Sequence, residues 1–212
     1  MLNFFQIKKI DNKNSELIHT KRMSQLKIDT LEIKDAFIVT GKKFTDERGF
    51  FEELYNESKF TVPITKGFTQ VSLAESNLDV LRGMHCSNYA KFVTCVRGEV
   101  YDVIVDLRPD SPTFLKWQGV TLTSKGDPVS LYVPKRCGHG YYSKQQDSML
   151  VYLQDGCFNP NEDINLNPFD STINIEWPSP VASYIVSEKD RQSKQLAEIR
   201  HLIDRSSLCL NA

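Results

Sequence analysis

The sequence predicts one all-β domain of the sandwich or barrel type, followed by a C-terminal helix. Short runs of β-forming residues follow one another from Leu31 onward, separated by Gly, Pro, Asp and Ser. Only residues 187–204 carry apolar side chains at a clear helical spacing. The chain therefore does not alternate strands with helices, as an α/β fold would.

The predicted strands are short and evenly placed. The clearest is the run from Glu99 to Arg108, in which β-formers dominate between the turn residues Gly98 and Pro109. Strands of this kind with polar turns between them are typical of sandwiches and barrels. The runs that we interpret as strands are 36–40, 50–55, 92–96, 100–106, 117–122, 129–133, 149–153 and 173–177.

The helix is predicted to begin after Ser187, whose hydroxyl suits an N-cap. Its apolar stripe consists of Leu196, Ile199 and Leu202 or Ile203. Residues 1–27 are polar and charged with little periodicity, so we interpret them as an N-terminal extension. The main domain is then 28–192, and 193–212 form a C-terminal helical tail.

Composition excludes several classes of protein. The 212 residues carry 26 Lys and Arg against 27 Asp and Glu, a formal net charge of −1, and 40% are hydrophobic. These values are typical of a globular domain and provide no basic excess for nucleic acid or an anionic membrane. No apolar run approaches the roughly 18 residues of a membrane span. We therefore expect neither nucleic-acid nor membrane partners.

The cysteines indicate a reduced, cytoplasmic setting. There are five, an odd number, in a chain long enough to fold without disulfides, and no pair has CxxC spacing. The N-terminus also lacks the basic-then-apolar order of a secretion signal.

Two of the four histidines have neighbours that suit a pocket. His85 follows Leu-Arg-Gly-Met, and His139 lies between two glycines, which leave its side chain uncrowded. A metal-binding cupin normally offers His-x-His, but His85 is followed by Cys86 and Ser87, so we predict no metal. Cys86 is a poor candidate nucleophile, because adjacent residues of a strand point to opposite faces. On spacing alone, a purely structural role for either histidine stays open.

Arginine precedes glycine at Arg48, Arg82 and Arg97. A guanidinium binds phosphate through two N–H groups, and a neighbouring glycine lets a ligand approach closely. Each pair also fits a turn that carries a solvated charge, so both interpretations stay open at this point.

Many spaced motifs occur in one order along residues 28–192. They are Phe44-x-Asp-x-Arg-Gly-x-Phe-x-Glu53, Phe68-x-Gln70, Leu81-Arg-Gly-Met-His85, Lys91-x-Val93, Arg97-Gly-Glu-Val-Tyr-Asp102, Val133-Pro134, Gly138-His-Gly140, Tyr152, Asn159-Pro160, Ile175-x-Trp-Pro178 and Ser187-x-Lys-Asp190. Together they resemble the dTDP-4-dehydrorhamnose 3,5-epimerase family of metal-free cupins. The resemblance implies a cupin-type β-jelly roll, no cofactor, and a homodimer in which both subunits contact the nucleotide.

The resemblance also implies the reaction and the catalytic residues. The family inverts carbons beside the 4-keto group of a nucleotide-linked 6-deoxyhexose, through an enolate. His85 matches the general base and Asp190 its carboxylate partner. Tyr152 matches the acid on the opposite face, and Lys91 a residue near the carbonyl of the sugar.

Further residues match the family's substrate contacts. Arg48 and Arg82 match the diphosphate contacts, Gln70 with Ser72 lies beside them, and His139 is an accessory pocket residue. Phe51 and Glu53 match positions that meet the base and ribose. The substrate predicted as partner is therefore a nucleotide-diphosphate keto-sugar.

Several departures from the family pattern line this pocket. Ser72 replaces an Asn, Cys86-Ser87 replaces Tyr-Gln, and Cys157-Phe158 replaces an aromatic pair, so one Tyr hydroxyl is missing. These changes leave open whether the enzyme inverts C3 and C5 or one centre only. The motifs also fit a non-catalytic sugar-nucleotide binding cupin and a keto-sugar 3,4-isomerase.

Overall fold

The computed structural model describes residues 26–59, 67–160, 162–179 and 183–208, with side chains to residue 204. Strands are the main secondary structure of these residues, as expected from the sequence. No helix in the described ranges is long and apolar enough to cross a membrane. The strands are β1 (Lys27–Thr30), β2 (Phe37–Thr40), β3 (Lys43–Asp46), β4 (Gly49–Glu52), β5 (Gln70–Ser76), β6 (Val80–Cys86), β7 (Lys91–Arg97), β8 (Glu99–Asp106), β9 (Trp117–Thr123), β10 (Val129–Val133), β11 (Cys137–Ser143), β12 (Ser148–Gln154), β13 (Ile164–Asn165) and β14 (Ile185–Val186).

The strands form two larger sheets and one separate hairpin. The first sheet has the order β1-β2-β10-β7-β12-β5, and the second has the order β13-β6-β11-β8-β9 with β14 paired to β6. All pairs are antiparallel except β14 with β6. Strands β3 and β4 pair only with each other among the described strands. The all-β prediction is therefore confirmed.

Strand β8 shows how the two sheets pack. Val100 and Ile104 belong to a core cluster that also contains side chains of the first sheet, so they face the space between the sheets. Val103 and Val105 face the opposite side and pack with the C-terminal helix. Because both faces are covered, the strand is a nearly continuous apolar run rather than an alternating one.

The prediction of one continuous C-terminal helix is wrong, because the structure has two helices with a break between them. Helix α1 covers Glu188–Arg191 and helix α2 covers Leu196–Leu208. Ser187 caps α1 as predicted, accepting a bond from the Asp190 N–H. Between the helices, Lys194 pairs with Leu166, and buried Asp170 accepts the Leu196 N–H at 2.6 Å. These contacts with a distant loop divide the helix.

Helix α2 covers the outer face of the second sheet. Leu196, Ile199 and Ile203 pack with Met84 and Leu166, whereas Leu202 is exposed. The predicted stripe is confirmed with Ile203, rather than Leu202, as its last member.

The predicted strand 173–177 is absent from the structure. Asp170 Oδ1 accepts the backbone N–H groups of Thr172 and Ile173, which makes a turn there. Trp177 donates its indole N–H to the Pro168 carbonyl. The apolar residues of this run are packed from a loop, so their hydrophobicity reflects burial and not strand pairing.

Candidate active site

A β-bulge in β6 brings Arg82 and His85 to the same face of the second sheet. His85 pairs with His139 of β11, but Arg82 pairs with Tyr141, so three steps on β6 match two steps on β11. Residues an odd number apart in a regular strand face opposite sides, and the extra residue reverses this. Both side chains therefore face the space between the sheets.

Two glycines allow this bulge. Gly83 has φ = +122°, and a Cβ added to it would lie 2.6 Å from the Gly140 Cα. A side chain at either position would collide with the neighbouring backbone. Gly83, two residues before His85, and Gly140, next to His139, are thus required by the close approach of the two strands.

His85 forms a pair with Asp190. Its Nε2 lies 2.7 Å from Asp190 Oδ1, and the Gly83 N–H donates to Asp190 Oδ2 at 3.3 Å. Burial would raise the pKa of Asp190, but hydrogen bonds from His85, Gly83 and Ser187 outweigh it and lower that pKa. Asp190 is buried, whereas a third of the His85 side chain is exposed. The exposed imidazole is therefore held in place by a buried carboxylate.

Tyr152 approaches the same space from the first sheet. Its ring meets the His139 ring edge to face, with centroids 6.0 Å apart, and His139 is the direct cross-strand neighbour of His85. Burial raises the pKa of Tyr152 well above its usual value, and the negative charge of Asp102 raises it further. Tyr152 therefore keeps its proton at neutral pH. His85 and Tyr152 thus have His139 as a common neighbour.

Lys91 lies beside this space at the start of β7. Its Nζ donates to the His85 carbonyl at 3.2 Å, and the residue is buried. Burial lowers the pKa of Lys91, while the charge of Asp163 acts in the opposite direction. Lys91 thus places an amino group directly against the backbone of His85.

The polar residues of β5 face the same interior. Ser72 is the cross-strand partner of Tyr152, so the two side chains lie on one face. The Gln70 amide donates to Ser72, and Ser72 donates to Gln154, at 3.0 and 3.1 Å. Val71, between them, points outward and is exposed.

Arg48, Phe51 and Glu53 are placed elsewhere. Arg48 pairs with Asp46, and Glu53 accepts from Lys59 and Asn56, so these partners lie within their own segment. The hairpin is attached to the turn between β9 and β10 through Lys43, which bonds Ser124 and Asp127. His85 lies toward the opposite ends of the strands, where β6 leads into β7. Within the described residues, the hairpin and the His85 pocket are not brought together.

Two buried residues of this region, Asp102 and Tyr141, were not predicted from the sequence. Asp102 Oδ1 lies 2.7 Å from His139 Nε2, and both residues are buried. A carboxylate inside an apolar strand must have a partner, so Asp102 in the run Val-Tyr-Asp-Val-Ile was a usable signal. Nothing local distinguishes Tyr141 from Tyr142.

Cys86 packs on the other side of β6 from His85, in the cluster under helix α2. Burial raises its pKa to about 12. A thiol held protonated in this way is a poor nucleophile, as the alternation of the strand indicates. Among the described residues, no group of three or more His, Cys, Asp or Glu is arranged to hold a metal ion.

Comparisons with known proteins identify the family. Residues 30–198 match the profile of the dTDP-4-dehydrorhamnose 3,5-epimerases. A 3,5-epimerase from Streptomyces griseus is 35% identical over 189 residues, covering 85% of this chain and 92% of that protein. A dTDP-4-dehydrorhamnose 3-epimerase from Streptomyces niveus is 33% identical, covering 82% and 86%.

Solved structures agree with this assignment. The dTDP-6-deoxy-D-glucose-3,5-epimerase of Legionella pneumophila, in complex with dTDP-4-keto-L-rhamnose, has a TM-score of 0.79 at 31% identity. The match covers 84% of this chain and 96% of that one. The predicted cupin-type fold is confirmed by this likeness. The chain belongs to the dTDP-4-dehydrorhamnose 3,5-epimerase family.

Proposed function

We propose that the protein is an isomerase that inverts C3 and C5 of a dTDP-linked 4-keto-6-deoxyhexose, as in dTDP-L-rhamnose biosynthesis. The observation that carries the proposal is that a candidate base and a candidate acid on facing sheets have a common neighbour. The His85–Asp190 pair lies on the second sheet beside His139, and Tyr152 of the first sheet contacts the His139 ring. Relatives named as epimerases of this sugar support the choice of substrate.

The ketone makes the neighbouring C–H bonds acidic, because the resulting anion spreads onto oxygen as an enolate. Nε2 of His85 is bonded to Asp190, so Nδ1 is the nitrogen that removes the proton. The C–H electron pair becomes the enolate, and Lys91 stabilises its oxygen. Tyr152 then gives its proton to the other face of the same carbon, and a new C–H bond forms with inverted configuration.

Arg82 is our proposed contact for the diphosphate. It shares the face of His85 because of the bulge, and its side chain is exposed at the edge of the pocket. Gln70 and Ser72 form the adjacent polar wall, and His139 stands between base and acid. Arg82→Ala should raise KM and leave kcat largely unchanged, and an unchanged KM would contradict this role.

We propose that the β3–β4 hairpin acts in the partner subunit of a homodimer. Phe44, Phe50 and Phe51 of the hairpin are exposed. Strand β5 is an edge of the first sheet, and Val71 and Leu73 on its outer face are also exposed. An unpaired edge with apolar side chains favours strand addition from another chain. Arg48, Phe51 and Glu53 would then reach the nucleotide bound to the other subunit.

Subunit complementation tests this arrangement. In the proposed dimer each site takes His85 from one subunit and Arg48 from the other. A mixed dimer of His85→Asn and Arg48→Ala chains therefore has one intact site and one site with both defects. Refolded equal mixtures should recover about a quarter of wild-type activity, because half of the dimers are mixed and each of these has one intact site of two. No recovery above the two separate variants would refute sharing of the site.

A 3-epimerase is the second candidate. The Phe158 N–H donates to Gln70, so the segment that has lost a Tyr borders the polar wall of the pocket. A relative named as a 3-epimerase lies at similar identity. With fewer hydroxyl groups there, the sugar would be protonated at one centre only.

Deuterium uptake from D₂O decides between the candidates. Label at C3 and C5 with inversion at both supports the double reaction, and label at one carbon supports the single one. A binding module would bind dTDP yet exchange nothing, and a 3,4-isomerase would move the ketone, which NMR detects. His85→Asn should abolish exchange at every position.

We also propose that the enzyme needs no cofactor and works in the cytoplasm. Its epimerase domain would span 28–192, flanked by an N-terminal extension and a helical tail.

A further inference from the structure

Arg82 is held by two neutral acceptors of strand β5. Its Nε donates to Ser76 Oγ at 3.0 Å, and its Nη2 donates to the Glu75 carbonyl at 2.9 Å. Nε and Nη2 lie on one edge of the planar guanidinium, so both bonds engage the same edge. The other edge, made of Nη1 and the second N–H of Nη2, bonds no group of the described residues. Two parallel N–H groups are therefore left for a ligand.

The positive charge of Arg82 is not paired with a carboxylate anywhere in the described part of the chain. Arg48, by contrast, forms an ion pair with Asp46. The Glu75 carboxylate is bonded by Arg97 at 3.3 Å, so Glu75 offers Arg82 only its carbonyl oxygen. An arginine fixed by neutral groups keeps its full charge for an anion.

Ser76 is itself fixed by the core. Its Oγ lies 2.8 Å from the Tyr141 hydroxyl, and both residues are buried. The Tyr141 ring belongs to the core cluster between the sheets, so this contact holds the Ser76 hydroxyl beside Arg82. A long exposed side chain loses rotamer entropy when it binds a ligand. Because Ser76 already holds Arg82, much of this loss occurs on folding and not on binding.

We infer that Ser76 is a positioning residue that directs the free edge of Arg82 at the diphosphate of the nucleotide. The inference rests on the proposed function, in which Arg82 contacts the diphosphate. Two parallel N–H groups match two oxygens of a phosphate, and this match requires the guanidinium plane to have a fixed orientation. Neither residue is assigned to a proton transfer. Ser76 should therefore affect the affinity for the diphosphate and leave the chemical step unchanged.

Ser76→Ala tests this role, because it removes the acceptor of the Arg82 Nε–H. We expect the Kd for dTDP, measured by calorimetry, and KM to rise about fivefold to tenfold, while kcat stays within about twofold of the wild type. Ser76→Thr keeps the hydroxyl and should restore both constants. Thymidine carries no phosphate, so its affinity in an NMR titration should be equal in the three proteins. A lower affinity for thymidine in Ser76→Ala would indicate a general disturbance of the site and contradict the positioning role.

A double-mutant cycle separates positioning from packing. If Ser76 acts through Arg82, Ser76→Ala should have no further effect on dTDP binding once Arg82 is replaced by alanine. An equal effect of Ser76→Ala with and without the guanidinium would overturn the inference. Ser130→Ala is the matched control, since Ser130 is a buried serine of the same sheet whose hydroxyl bonds Thr94. It should leave the Kd for dTDP unchanged.

Two failures can be told apart. If the wild type binds no dTDP and exchanges no deuterium, the proposed function is wrong and this inference falls with it. If the wild type inverts the sugar and Ser76→Ala binds dTDP equally well, the positioning role alone is overturned. If Ser76→Ala does not fold, Tyr141→Phe, which removes the core contact of Ser76, should weaken dTDP binding. An unchanged Kd in that variant would then overturn the role.

Discussion

Tyr152 and His85 should respond differently to substitution if, as we propose, they face the sugar from opposite sides. In Tyr152→Phe the base can still remove a proton and return it on its own face. Deuterium exchange should persist, whereas inversion should fall by about 10² to 10⁴, the usual contribution of a positioned acid. NMR of one sample in D₂O measures both rates. Equal loss of exchange and inversion would count against the opposite-face role.

Asp190 should make stability depend on pH in the acid range. Its pKa is lower in the folded protein than the value of about 3.9 expected for the unfolded chain. The carboxylate therefore stabilises the fold above that value, and the contribution is lost as the pH falls through the lower, folded pKa. Thermal unfolding of wild type and Asp190→Asn should show a Tm gap near pH 6 that narrows below about pH 4. A Tm difference between the two proteins that does not change with pH would exclude this contribution of Asp190 to stability.

At the scale of single residues, the sequence indicated the candidate site residues better than it indicated the contacts between them. The roles proposed for His85, Asp190 and Tyr152 follow from the family resemblance of the motifs in which they stand. Tyr141 could not be selected from the sequence, because its contact with Ser76 joins strands that are distant in the chain.

At the scale of elements, the β6 bulge is the feature on which the pocket depends. A Cβ at residue 140 would lie 2.6 Å from both the Arg82 carbonyl oxygen and the Met84 sulfur. We expect Gly140→Ala to lower the free energy of unfolding by roughly 1–3 kcal/mol, the range for overpacked sites, and to reduce kcat by shifting His85.

Gly67→Ala is the control for this prediction, since a Cβ there would contact nothing within 4 Å. Denaturant melts and steady-state kinetics measure the two effects. A Gly140→Ala protein with wild-type stability would show that the strands can separate to accept the methyl group.

Strands and helices could be predicted where the sequence pattern was local. The prediction failed where contacts with distant residues overrode the local pattern. Strand β8 and the Ser187 cap follow from neighbouring residues. The helix break at 192–195 follows from Leu166 and Asp170, which no helical periodicity could reveal.

At the scale of the whole molecule, the exposed apolar surface of β5 should control assembly. Leu73→Lys places a charge on the proposed subunit contact, and we expect light scattering to show a shift from dimer to monomer with loss of activity. Leu78→Lys, at another exposed apolar position, should remain dimeric. A wild-type protein that is monomeric at assay concentration would contradict the proposed dimer.

The all-β class and the capped C-terminal helical segment were evident from the order of the residues, and the residues proposed for the site were implied by a family resemblance. The fold class and the helix depend on periodicity and turn chemistry, which act between near neighbours. The folded chain was needed to show that Arg82 shares the face of His85 and that the Arg48 hairpin stands apart. Each depends on the register between strands distant in the chain, and register is set by close packing such as that of Gly83 on Gly140.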